Sequence, residues 1–178
     1  MHTRKAYRLG LALAALVALT STIFVGVTAQ RWIGQSFPGF FLLPNRVIAS
    51  VGLPDWPSRH EGDLYQRRVL AVEGTVVHSG GEIYAAASRV TPGTPVEYTL
   101  RQDGGREIRN IPAQRLGAAE YWLIFGSYQL SGLAYLTMGL VGAWVFPGQR
   151  RGLAMLSVGA TGGLYALSAT TLYGAGAL

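Results

Sequence analysis

The chain has 178 residues, of which 49% are apolar, 13% are charged and none is cysteine, and its formal net charge is +6. Charged residues make up about a quarter of an ordinary soluble domain, so this deficit and the mean hydropathy of +0.26 point to membrane segments beside one small domain. Without cysteine there is neither a disulfide framework nor a thiolate metal site.

Residues 1–8 form a basic N-terminus with Arg4, Lys5 and Arg8. The uncharged run Leu9–Ala29 follows. At ~1.5 Å per residue it can cross a hydrocarbon core of about 30 Å. Val27-Thr28-Ala29 also fits a signal-peptidase site. The run is longer than a cleaved signal needs, so an uncleaved anchor is the expectation. Residues 30–120 change character to short β-rich runs bounded by Gly, Pro, Asn and Asp. Strands are expected at Phe40–Leu43, Val47–Val51, Val69–Val72 and Thr75–Val77, with Gly52–Gln66 irregular and able to hold a helical turn. Ser79 and Glu82 have capping-box spacing, and Ile83, Ala86, Ala87 and Val90 share one face of the helix they open. Pro92-Gly93 ends that helix, and Val96–Arg101, Asp103-Gly104-Gly105 and Glu107–Ile111 read as a hairpin. Uncharged runs return at 121–147 and 153–178, around a basic turn at 148–152. Trp32, Tyr121 and Trp122 are placed as interfacial anchors.

Orientation follows from the basic residues. Arg4, Lys5, Arg8, Arg150 and Arg151 lie in segments without acids, whereas all the acids fall in 30–120. The positive-inside rule then puts the N-terminus and the 148–152 turn in the cytoplasm and 30–120 outside it. No basic patch suited to nucleic acid is evident, so none is expected as a partner.

Arg68-Val69-Leu70-Ala71-Val72-Glu73-Gly74, then Val76-Val77, Ser79 and Thr91-Pro92-Gly93-Thr94-Pro95-Val96, resemble successive stretches of PDZ domains. Pro38-Gly39-Phe40 sits where that family carries its carboxylate-binding loop. Glu61-Gly62-Asp63-Leu64 and Glu73 depart from the family pattern. The apolar runs and the basic residues give a membrane α-helical protein with 30–120 outside the cytoplasm. The resemblance implies that this segment is a small α+β, partly open β-barrel domain with one or two helices. It also implies a peptide or protein C-terminus pairing with the Phe40–Leu43 strand by strand addition. The residues expected to bind are Gly39, Phe40, Phe41 and Leu42 on the loop and strand, with Ile83, Ala86 and Ala87 on the helix.

No zinc-protease, serine-hydrolase or phosphate-loop pattern is present, so no catalytic residue, cofactor or metal is expected. His60-Glu61 lacks the second histidine of a zinc site, and His2, His60 and His78 are scattered. Gly159 with Gly163, Gly139 with Ala143 and Ser127 with Ser131 have the spacing of close helix contacts or of a homodimer. Gln129 suits an interhelical hydrogen bond. The layout resembles the N-terminal input region of bacterial multi-pass sensors, with a longer protein following. A regulator that recruits substrates to a membrane protease and a structural scaffold are the alternatives.

Overall fold

In chain order the elements are helix α1 (His2–Ala29), a 3-10 turn at Gln30–Trp32, strand β1 (Ser36–Phe37), helix α2 (Pro57–His60), strands β2 (Arg68–Val72) and β3 (Thr75–Val76), and helix α3 (Gly80–Ser88). Strands β4 (Pro95–Gln102), β5 (Gly105–Pro112) and β6 (Gln114–Arg115) follow. Helix α4 (Ala118–Tyr121), a π-helical turn at Trp122–Gly126, and helices α5 (Ser127–Val145) and α6 (Arg150–Gly174) complete a mixed α+β chain. The computed structural model describes residues 2–60, 64–102 and 105–174. Two units can be distinguished, one of Met1–Gln30 with Trp122–Thr170 and one of Arg31–Tyr121 with Thr171–Leu178.

The second unit is built on an open antiparallel sheet in the order β3-β2-β4-β5. Val96, Tyr98 and Leu100 alternate inward along β4, as a strand with one covered face requires. They meet Phe40, Ile48, Leu64, Val69, Ile83 and Ile111 in one core. Strands β4 and β5 pair from Pro95–Pro112 to Gln102–Gly105. The expected Asp103-Gly104 turn and the Glu61–Asp63 departure lie outside the described residues. The β2–β3 turn carries Glu73 at φ 48° and Gly74 at φ 71°, two left-handed positions in succession. Such a turn matches the twist of the flanking strands, and Gly or Asn usually fills it. Glu73 accepts the strain while its carboxylate takes the Glu97 N–H at 2.8 Å.

Helix α3 begins as its sequence requires. The Ser79 Oγ accepts the Glu82 N–H, and the Glu82 carboxylate reaches back to the His78 N–H at 2.9 Å. The first bond satisfies one donor that the first turn leaves orphaned, and the second ties the residue before the cap to the helix. The expected strands Phe40–Leu43 and Val47–Val51 are shorter than the sequence suggests. They pair through the isolated Leu42–Ile48 bridge, because the Pro44-Asn45-Arg46 turn, with Arg46 at φ 66°, reverses the chain within a few residues. A small second sheet pairs β1 with β6, matching Ser36 to Arg115.

In the first unit the glycines expected at close helix contacts serve the packing of α5 on α6. A Cβ on Gly159 would lie 2.5 Å from the Tyr135 carbonyl, and one on Gly163 would lie 3.0 Å from the Gly132 carbonyl. The face proposed for a homodimer is thus occupied within the chain. Tyr7 donates its hydroxyl to the Ala143 carbonyl at 2.9 Å, joining α1 to α5. Gln129 faces α1, its amide 3.8 Å from where a Cβ on Gly26 would stand. Large apolar side chains remain exposed along all three helices, among them Phe24 at 67%, Leu130 at 70% and Leu164 at 60%.

Where the sequence expects three spans, length and composition single out one among the described residues, Arg150–Ala169, with Leu9–Phe24 a shorter apolar helix. The run from Tyr121 falls short for two reasons. The π turn interrupts it, and Ser127, Tyr128, Gln129 and Ser131 make the start of α5 polar.

Candidate functional site

The candidate site is the strip between the Phe40–Leu43 segment and α3. Hydrogen bonds on the far side of that segment define its geometry. The Phe41 carbonyl accepts the Ala49 N–H, and the Leu43 N–H donates to the Val47 carbonyl, both at 2.8 Å. Polar groups alternate sides along an extended chain, so the Leu42 N–H points the other way, toward α3. There it donates to the Tyr84 hydroxyl at 2.9 Å. That hydroxyl in turn donates to the Tyr173 carbonyl at 2.8 Å. The Trp32 ring meets the Tyr84 ring edge-on, with centroids 5.0 Å apart.

The expected binding residues lie along this segment and α3, and most of them are spent on packing. Leu42 supplies the outward N–H. Phe40 is fully buried in the core, edge-on to Tyr98, and Phe41 is fully buried between Phe37 and Trp56. Gly39 has φ 77°, and a Cβ there would stand 3.1 Å from Pro57 Cδ. Its need for glycine therefore comes from the backbone turn and from Pro57. Ile83 and Ala87 face the core and are fully buried, so they are spent on packing, whereas Ala86 is half-buried. Tyr84, adjacent to Ile83 and carrying a hydroxyl, is the residue that sequence reasoning missed.

Electrostatic features follow from burial. Removal from water pushes the Tyr84 hydroxyl pKa above its ordinary value, and the Leu42 hydrogen bond opposes this in part. Burial likewise raises Tyr98, helped by the negative charge of Glu73. The Glu82 carboxyl is lowered chiefly by the His78 N–H, with further help from the Ser79 hydroxyl and the charges of His78 and Arg46. Elsewhere in this unit the buried Arg67 guanidinium is paired with the Glu107 carboxylate. The Trp56 Nε1 donates to Glu120 Oε1 at 3.1 Å, while Glu120 Oε2 accepts the Gly117 N–H at 2.7 Å. Among the described residues no group of three or more His, Asp or Glu side chains could hold a metal ion.

No protein-family model matches the sequence, and no curated protein matches it. Among solved structures, the chain is similar to a serine endoprotease from Yersinia pestis, at 21% identity and a TM-score of 0.40. The match covers 47% of this chain and spans 30% of the endoprotease chain.

Proposed function

We propose that Arg31–Tyr121 is a peptide- or protein-binding domain of PDZ-like organisation, held outside the cytoplasm between membrane-spanning helices. The observation that carries this reading is the Leu42 N–H, which points away from the pairing with Val47 and Ala49 and toward α3. It is a backbone donor on the side of a bridged extended segment that faces a helix, and an extended ligand satisfies such a donor by adding a strand. The sequence order of strands and helix, from Arg68–Gly74 through the Ser79 cap to the Pro95–Pro112 hairpin, supports the same organisation. Membrane anchoring is supported by the apolar side chains exposed along α1, α5 and α6, surface that is unfavourable in water and at home in lipid. With α1 ending just before the domain and α5 beginning just after it, ligand capture would act as the sensory input of a longer signalling protein. Recruitment of substrates for a membrane protease is the alternative use of the same site. This chain is proposed to hold no catalytic centre of its own.

The test is fluorescence anisotropy with detergent-solubilised full chain and a pool of fluorescein-labelled decapeptides ending in free valine. Saturable binding that weakens at least tenfold when the C-termini are amidated is the expected result. Equal binding of both pools would replace carboxylate capture by internal-strand recognition. The absence of binding would favour a second reading, a structural spacer, which the occupation of the Leu42 N–H by Tyr84 already supports.

A further inference from the structure

We infer that Tyr84 is a built-in latch on the Leu42 edge, an intramolecular stand-in for the oxygen that a ligand has to bring. This rests on the peptide-binding reading of the same strip. Strand addition needs an acceptor oxygen at hydrogen-bonding distance from each outward N–H. At Leu42 that position is filled by the Tyr84 hydroxyl at 2.9 Å. A ligand cannot bond the same N–H until this hydroxyl leaves.

Three observations make the latch a specific arrangement rather than a chance contact. The residues are 42 positions apart, so chain proximity does not impose the bond. The hydroxyl works in both directions, accepting from Leu42 and donating to the Tyr173 carbonyl at 2.8 Å, so its bonding capacity is engaged from both sides. The ring is also held, since it is 5% exposed and Trp32 stands edge-on against it. Aromatic contacts of this kind add to the burial that keeps a side chain in one rotamer.

The latch makes binding a competition. The strip exists in a closed state, with Tyr84 on Leu42, and an open state in which the edge is available. Apparent affinity is then the intrinsic affinity reduced by the open fraction. A ligand group that merely fills space gains nothing at Leu42, whereas a carbonyl or carboxylate oxygen replaces the hydroxyl bond for bond. Loss of the Tyr84 hydroxyl also releases the Tyr173 carbonyl, so occupancy of the edge and the hold on Tyr173 change together.

Tyr84→Phe isolates the hydroxyl while keeping the ring and its packing. Two readouts on the detergent-solubilised full chain separate this inference from the binding reading on which it rests. Amide hydrogen exchange at Leu42 needs no ligand, and it should accelerate in the variant relative to its neighbours Phe41 and Leu43. Unchanged exchange at Leu42 overturns the latch. Anisotropy with the decapeptide pool ending in free valine should show binding tightened about 3- to 10-fold in Tyr84→Phe, the range that one net hydrogen bond supplies. Wild-type and variant affinities that are equal overturn the latch and leave the binding reading standing. No binding by either protein, with Leu42 exchange accelerated as expected, overturns the binding reading and makes the Tyr84 bond purely structural.

Discussion

Gly39 shows how one residue can be required for a reason other than the one its position suggests. Its φ of 77° and the approach of Pro57 Cδ make it a structural glycine. Gly39→Ala is therefore expected to cost about 1–2 kcal/mol of stability, read by denaturant unfolding. Tyr98 offers the opposite case. Its hydroxyl is fully buried and has no hydrogen-bond partner among the described residues, so Tyr98→Phe should be neutral or gain up to about 1 kcal/mol. A clear loss of stability would reveal a partner for that hydroxyl. Tyr84 and Tyr98 together also set an alkaline limit. Their pKa values are raised in the fold, while the unfolded chain ionises them near pH ~10. Their contribution is intact below that pH and is lost as pH climbs toward the folded values. Thermal melts should fall above pH ~10, and less steeply in Tyr98→Phe.

At the scale of elements, α3 is the part on which the site depends, since it carries Tyr84 to the Leu42 edge. Nine residues are too few to be helical unaided in water. Capping and the burial of Ile83 and Ala87 hold the helix in place. Ser79→Ala removes the bond to the Glu82 N–H and should cost about 1 kcal/mol by denaturant unfolding. The same change should accelerate exchange at the Leu42 amide if the helix loosens enough to release Tyr84. The reciprocal half of the cap depends on the Glu82 carboxylate, whose lowered pKa ties it to the ionised form. Its support is present above the ordinary carboxylate range and fades as pH falls through the lowered folded value. The Phe40–Leu43 segment shows why a strand is shorter than its sequence suggests. Four apolar residues suggest a ladder, but the left-handed Arg46 turns the chain back, and the other edge meets a side chain in place of a strand.

For the whole molecule, the expected topology places 30–120 on one side of a membrane and the 148–152 turn on the other. Absence of cysteine makes this directly measurable. A Thr75→Cys variant should react with a membrane-impermeant maleimide in intact cells, because Thr75 is exposed on β3. An Arg150→Cys variant should react after permeabilisation alone. Labelling of both in intact cells, or of neither, would reject the proposed orientation. Substituting Gly159 by leucine should weaken the α5–α6 contact, since even a Cβ would stand 2.5 Å from the Tyr135 carbonyl.

Much of the local structure was legible without coordinates because local rules suffice for it. Ser79 and Glu82 announce the start of α3 by a spacing of three residues, and alternating Val96, Tyr98 and Leu100 announce a half-covered strand. The contrast between uncharged runs and the charged 30–120 segment is likewise a property of composition. Pairing of Ser36 with Arg115, the close fit of Gly159 on α5 and the capture of the Leu42 N–H by Tyr84 could not be read in this way. Each joins residues far apart in the chain, and periodicity says which face of an element is apolar but not what will lie against it. Tyr84 and Ile83 are neighbours on one helix. Packing of the folded core alone decided that both are buried in it and that the tyrosine's hydroxyl reaches a backbone donor 42 residues away.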